Sequence, residues 1–272
     1  MTSKEYRESI FILNHVSDEL IPIKLDRWGG GEYKLASIPD NIGGICSLYI
    51  PYLTFETLEK AYVCKRFMEK RNIKLVGSLI GYFSYSRQER ETDKEPELLN
   101  GLLNATRMLL NNITIIDVHN KTSLEGLEPI SILSNLLNKV DDEYFVVAPD
   151  KGAKSRNEEL GIKTHICLNK KRIDGQVYTE LSDISDEIKD GGSLVIVDDI
   201  CDGGRTFANA AELLKNKYPN CKIILLVAHA ILPFGIELLK EKGIDQIVST
   251  NTCFPKGEFY NGFLKVYGLE DI

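Results

Sequence analysis

Ser193-Leu-Val-Ile-Val-Asp-Asp-Ile-Cys-Asp-Gly-Gly-Arg-Thr-Phe-Ala208 is the stretch that decides the fold. Residues 194–197 form a short apolar run, bounded by Gly191-Gly192 before it and by carboxylates after it, which marks a buried strand. Asp198 and Asp199 are expected at the carboxyl end of that strand. A tight loop, Asp202-Gly-Gly-Arg-Thr206, follows, and a helical pattern begins at Phe207. Ligands of open α/β sheets bind at such junctions, because the N–H groups of a helix start point outward and favour anions. Two adjacent carboxylates beside an anion cradle suit a sugar phosphate: acids for the ribose hydroxyls or a bound cation, amides for the phosphate. An ordinary strand-to-helix turn capped by Asp202 would explain that residue, but not the acidic pair. A Walker-type phosphate loop is excluded, since no Gly-Lys-Ser/Thr ending is present.

Composition bounds the remaining possibilities. A chain of 272 residues fits two domains of ordinary size, and 43% hydrophobic with 27% charged residues is normal for a globular protein. The net charge of −7 argues against a protein that coats nucleic acid. The N-terminal residues carry no apolar signal core and no apolar stretch is long enough to span a bilayer, so a cytoplasmic protein without membrane contact is expected. Six cysteines, without a Cys-x-x-Cys pair, fall mostly in apolar segments and read as reduced, buried thiols.

Apolar runs alternate with amphipathic stretches almost throughout, which predicts α/β architecture with mostly parallel strands. Strands are expected over residues 10–13, 45–50, 75–80, 113–118, 145–148, 165–168, 194–197, 223–227 and 246–249. Helices are expected over 57–70, 97–110, 130–139, 208–217 and 235–242. The polar patch at 138–143 is the best internal boundary, giving domains 1–140 and 141–272.

Three further segments carry chemistry. Gly81-Tyr-Phe-Ser-Tyr-Ser-Arg-Gln-Glu-Arg90 puts Arg87 and Arg90 close enough to clamp a polyphosphate, with aromatics near by for a purine. Taken alone it reads as a solvated loop. Asp117 and His119 are two apart after a strand, and on an extended chain both side chains would point the same way. Asn169-Lys-Lys-Arg-Ile-Asp-Gly175 reads as a basic turn.

Val-Asp-Asp-Ile-Cys-Asp-Gly-Gly-Arg-Thr resembles the phosphoribosyl-pyrophosphate (PRPP) motif shared by type I phosphoribosyltransferases and ribose-phosphate pyrophosphokinases (PRPP synthetases). The rest of the chain resembles the second family. The 81–90 segment is similar to its Pro-Tyr-x-x-Tyr-Ala-Arg-Gln-Asp-Arg element, keeping Tyr85, Arg87, Gln88 and Arg90. Asp117-Val-His119 resembles its Asp-Leu-His, and Val147-Ala-Pro-Asp150 its Ser-Pro-Asp. Residues 169–175 resemble its Asp-Lys-Arg-Arg-Pro-Gly flap, residues 152–156 its Gly-Gly-x-x-Arg loop, and Trp28-Gly-Gly-Gly-Glu-Tyr33 its Phe-x-Asp-Gly-Glu. Val227-Ala-His-Ala-Ile231 and Ser249-Thr-Asn-Thr252 match elements near its ribose site.

The resemblance implies two tandem type I phosphoribosyltransferase-like, Rossmann-like domains, with the segment after Phe254 packing back on the first. It implies transfer of the β,γ-diphosphoryl group of ATP to the anomeric hydroxyl of ribose 5-phosphate, releasing AMP. Lys170 and Arg172 would be the catalytic flap cations. Arg87, Gln88, Arg90, Trp28 and Glu32 would bind ATP, with the last two reaching a neighbouring subunit's adenine. His119 and Asp150 would hold Mg²⁺. Asp198, Asp199, Asp202, Gly203, Gly204, Arg205 and Thr206 would bind the acceptor. A homo-oligomer, dimer or hexamer, is implied, with no nucleic-acid partner.

The family's phosphate loop usually reads Asp-Thr-Ala-Gly-Thr. With Gly203, Gly204 and Arg205 the loop has fewer donors, more room and an added cation, which suits an acceptor whose phosphate bears a further group. ADP-ribose, the acceptor associated with phage-encoded relatives that rebuild NAD⁺, is the alternative to ribose 5-phosphate. A type I phosphoribosyltransferase and a regulatory subunit without catalysis are lesser alternatives.

Overall fold

The computed structural model describes residues 1–38, 42, 44–88, 98–119, 127–140, 143–173, 176–184, 188, 191–232 and 235–272. The chain forms two compact units, Met1–Ile130 with Thr252–Pro255, and Ser131–Asn251 with Lys256–Ile272.

In the first unit a short helix, α1 (Ser3–Arg7), leads into β1 (Ile10–Asn14), β2 (Glu19–Arg27), β3 (Tyr33–Ser37), β4 (Ile45–Leu53), α2 (Phe55–Lys70), β5 (Lys74–Phe83), α3 (Leu99–Leu109), β6 (Ile113–Ile116) and β7 (Glu128–Ile130). The sheet order is β3-β2-β1-β4-β5-β6-β7. β4 to β7 are parallel, while β1, β2 and β3 form an antiparallel meander on one edge. The apolar run of β4 is buried along almost its whole length, as a strand covered on both faces requires. Leu58, Ala61, Cys64 and Met68 of α2 and Leu99, Leu102 and Leu103 of α3 recur at helical spacing and bury against this sheet. Thr54 caps α2, its side chain accepting from the Thr57 backbone N–H.

The second unit contains α4 (Leu133–Leu137), β8 (Tyr144–Ala148), α5 (Lys151–Glu159), β9 (Ile166–Ile173), β10 (Gln176–Ile184), β11 (Ser193–Cys201), α6 (Arg205–Lys217), β12 (Lys222–Ala230), α7 (Ile236–Glu241), β13 (Gln246–Thr250), β14 (Gly257–Phe259) and β15 (Leu264–Tyr267). Its order is β10-β9-β8-β11-β12-β13-β15-β14. Every pairing from β9 to β15 across this order is parallel, and an antiparallel strand closes each edge. All nine expected strands and all five expected helices are present, within two sheets of mainly parallel α/β type.

In the fold itself the structure departs from the sequence reading in four places. First, α4 falls in the second unit: Leu133, Leu136 and Leu137 bury against Val195, Val197, Ile224 and Val248, so the polar patch at 138–143 lies inside that unit. Second, the segment after Phe254 does not fold back as a whole. Only Thr252–Pro255 belongs to the first unit, and β14 and β15 extend the second sheet. Third, the segment read as a basic turn is strand as far as Ile173, paired antiparallel with β10, with Lys170 opposite Thr179 and Arg172 opposite Val177. Fourth, residues 152–156 are not a loop but the body of α5. No described helix is long and apolar enough to cross a membrane. All six cysteines are buried thiols outside any disulfide.

Candidate active site

The central parallel strand of the second sheet, β11, runs past the acidic pair to Cys201, so Asp198 and Asp199 lie within its last turn of pairing and not beyond its end. Asp199 is buried and Asp198 half-buried. Arg156 reaches them from α5. Its Nη1 donates to Asp198 Oδ1 at 2.6 Å and lies 3.1 Å from Asp199 Oδ1, and the Asp199 backbone N–H donates to Asp198 Oδ1 at 3.0 Å. Burial, and then the charge and hydrogen bond of Asp199, push the Asp198 carboxyl up to about 7, while Arg156 pulls it back toward the ionised form. Arg156 is the one member of this cluster to which the sequence reading gave no role, although it ends the segment that resembles Gly-Gly-x-x-Arg. Its signal was the weak Gly-x-x-x-Arg spacing after Asp150, which gains meaning only when β8 and β11 are seen to be parallel neighbours.

Asp150 opens α5. Its Oδ1 accepts the Ala153 backbone N–H at 3.0 Å, so the residue expected to hold a metal also serves as a helix cap.

After β11 the chain turns through Asp202 and Gly203, both exposed, and enters α6 at Gly204. Gly204 has φ +76°, and no side chain caps the helix, so Asp202 is not the cap that the ordinary-turn reading required. The start of α6 therefore leaves its first N–H groups to the loop. A Cβ on Gly204 would sit 3.1 Å from Leu239 of α7, whereas nothing lies within 4 Å of one on Gly203. The extra room expected at both glycines exists only at Gly203. Gly204 instead answers a backbone demand, since its left-handed φ disfavours any side chain. Arg205 is exposed and Thr206 half-buried at the helix start.

In the first unit, Trp28 is 61% exposed at the tip of the β2–β3 hairpin, with the Lys34 ammonium 4.3 Å from its ring centroid. The Glu32 carboxylate folds over Gly30, where a Cβ would meet it at 2.6 Å. The hairpin is tied to α2 by Arg27, which pairs with Glu56 at 3.1 Å. Arg87 is exposed, and Gln88 follows a turn in which its N–H donates to the Tyr85 carbonyl at 2.8 Å. Gln88 Oε1 and Ser84 Oγ are buried without a hydrogen-bond partner among the described residues. Arg90 lies outside the described residues, as do the side chains of Lys170 and Arg172 in the second unit.

The expected alignment of Asp117 with His119 does not form. β6 ends at Ile116, Asp117 takes φ +37° and is buried, and His119 is exposed. An extended chain was the premise of that alignment, and the left-handed residue removes it. Among the described residues no three His, Cys, Asp or Glu side chains gather as a metal cage.

A phosphoribosyl transferase domain model matches residues 128–247, the part of the chain that holds β11, Arg156 and the loop before α6. A ribose-phosphate pyrophosphokinase of Mycoplasmopsis pulmonis is 29% identical over 202 residues, covering 68% of this chain and 61% of that protein. One from Staphylococcus epidermidis is 27% identical over 267 residues, covering 89% and 80%. The fold is that of the phosphoribosylpyrophosphate synthetase of Mycobacterium smegmatis, which superposes with a TM-score of 0.66 over 93% of this chain and 88% of that one, at 18% identity. The fold class is thus a pair of phosphoribosyltransferase-type α/β domains. In sequence the chain is similar to ribose-phosphate pyrophosphokinases, of which it spans 61% of the Mycoplasmopsis pulmonis protein, and its second unit carries the phosphoribosyl transferase domain.

Proposed function

We propose that the protein is a diphosphotransferase that moves the β,γ-diphosphoryl group of MgATP to the anomeric hydroxyl of ribose 5-phosphate, giving PRPP and AMP. The observation that carries the reading is the carboxylate pair Asp198–Asp199, set beside a helix start whose N-cap is a left-handed glycine. Carboxylates accept from vicinal hydroxyls, and an uncapped helix start meets a phosphate. The reaction develops charge on the transferring group and needs positioned cations more than a covalent nucleophile. Lys170 and Arg172 are assigned that role.

Arg87, Gln88, Arg90, Trp28 and Glu32 are assigned to the nucleotide. The unsatisfied Gln88 and Ser84 oxygens support this, because buried polar atoms without partners are rare unless a ligand or water completes them. His119 and Asp150 are assigned to the Mg²⁺ that accompanies ATP. The lack of a three-residue cage among the described residues fits an ion held largely by phosphate and water oxygens. Such an ion neutralises phosphate charge as it shifts. Asp202, Gly203, Gly204, Arg205 and Thr206 are assigned to the acceptor's phosphate.

A second acceptor, ADP-ribose, is favoured by one observation: the open space at Gly203 beside the exposed Arg205 leaves room for a phosphate that carries a further group. Incubating the protein with MgATP and either acceptor, and following AMP release by chromatography, tests both. AMP formed with ribose 5-phosphate alone supports the first reading, and AMP formed only with ADP-ribose replaces it with the second. No AMP with either acceptor rejects the enzyme and revives a regulatory subunit. PRPP consumed with a nucleobase would instead indicate a phosphoribosyltransferase.

A further inference from the structure

Helix α5 is seated on its sheet in an unusual way. Of its nine residues only Ala153 and Asn157 are buried, so apolar packing contributes little to its position. Polar contacts hold it instead: the Asp150 cap, a 3.3 Å hydrogen bond from Asn157 Nδ2 to Thr164 Oγ1, and the Arg156 bridge to β11. That bridge is not a surface ion pair. The side chains of Arg156, Asp198 and Asp199 are 17%, 16% and 3% exposed, in a range where water screens poorly.

Two consecutive carboxylates, one of them buried, repel each other and cannot both stay ionised without a countercharge. Arg156 supplies part of it through a single nitrogen shared between Oδ1 of both residues. The guanidinium cannot be deprotonated in a protein, so the compensation is permanent. The Arg156 guanidinium and the Asp199 N–H both meet Asp198 at Oδ1.

We infer that Arg156 is a positioning residue of the acceptor site, which orients Asp198 and Asp199 for a sugar's vicinal hydroxyls without touching the sugar itself. The inference rests on the acceptor-binding reading of that pair. Because α5 also begins at Asp150, Arg156 ties the acceptor carboxylates to the helix that bears that residue. Arg156 opposes protonation of the pair and fixes its orientation, and a protonated acid loses acceptor capacity, so loss of Arg156 acts on acceptor affinity before it acts on turnover.

The test compares wild-type protein with Arg156→Gln and Arg156→Lys. Ribose 5-phosphate and ADP-ribose binding are measured by calorimetry without ATP, alongside AMP release with KM determined for ATP and for the acceptor. Arg156→Gln should weaken acceptor binding at least about tenfold, the worth of a charge-assisted hydrogen bond, while KM for ATP stays within about twofold. Arg156→Lys, which keeps the charge but not the fork, should fall between. Acceptor binding within about twofold of wild type in Arg156→Gln overturns the inference, as does a loss of kcat with both KM values unmoved. If Arg156→Gln does not fold, the same ratio in Arg156→Lys decides. Wild-type protein that binds an acceptor but forms no AMP rejects the enzyme reading alone, with the Arg156 comparison still settled by binding. Wild-type protein that binds neither acceptor rejects both.

Discussion

Replacing Asp198 by Asn tests the electrostatic account of the acidic pair directly. Burial and the neighbouring Asp199 raise the Asp198 carboxyl from an ordinary value near 3.8 to about 7. Over the interval between those values the folded chain holds a proton that the unfolded chain has lost. Stability must therefore fall as pH rises through that interval, by about 1.4 kcal/mol for each pH step. Between pH 5 and pH 8 the loss through this one group is about 3 kcal/mol. Asn cannot ionise, so D198N resembles the protonated wild-type at every pH and lacks this slope. The two proteins should be similar in stability at pH 5, and the difference should move in favour of D198N by about 3 kcal/mol at pH 8. Urea unfolding followed by far-ultraviolet circular dichroism, with EDTA present, measures it. Tryptophan fluorescence would not serve, because the single tryptophan, Trp28, belongs to the first unit. A difference that does not change with pH would refute the reasoning. So would one of opposite sign, which would mean that Arg156 outweighs burial and holds Asp198 as an ordinary anion.

Other outcomes follow from the same geometry. Gly204→Ala must place a Cβ at φ +76° and 3.1 Å from Leu239, and should cost about 1–2 kcal/mol, read as a lower thermal midpoint; Gly203→Ala, with open space around it, should cost less than about 0.5 kcal/mol. Asp150→Asn keeps an oxygen able to accept from Ala153, so its thermal midpoint should match wild type while the Mg²⁺ concentration needed for half-maximal AMP release rises. Asp150→Ala should lose the cap as well, at about 1 kcal/mol, and equal midpoints for the two variants would deny that the cap matters. Lys170→Ala should lower kcat by about 10²-fold or more with KM for ATP little changed, and near-wild-type turnover would remove Lys170 from the reaction.

What the sequence disclosed follows burial. Strands covered on both faces, such as β4, β11 and β12, write themselves as continuous apolar runs and were legible at once. The edge strands were not. β2 carries one buried residue in nine, and its alternation of Glu19, Lys24 and Asp26 with apolar neighbours looks like a loop until β1 pairs with it. The basic end of β9 was hidden for the same reason, since Lys170, Lys171 and Arg172 advertise solvent rather than a ladder. α5 escaped because Lys151-Gly-Ala-Lys-Ser-Arg156 has no apolar stripe, and its anchor is an ion pair to a strand 42 residues away. The acidic pair and the glycine loop were readable from local chemistry, whereas the countercharge was not, because only the sheet order puts Arg156 beside them. Asp117 misled for a purely local reason: a single left-handed residue turned the chain where an extended one was expected.

The buried thiols give the molecule an internal clock. Cys46, Cys64 and Cys253 belong to one unit and Cys167, Cys201 and Cys221 to the other, and none is more than 3% exposed. Burial raises the thiol pKa of Cys64 and Cys253 to about 12 and that of Cys201 higher still, so these sulfurs are poor nucleophiles while the chain is closed. A thiol reagent can then react only as each fold opens, and peptide mapping of the order of labelling would report which half of the molecule yields first under heat or denaturant.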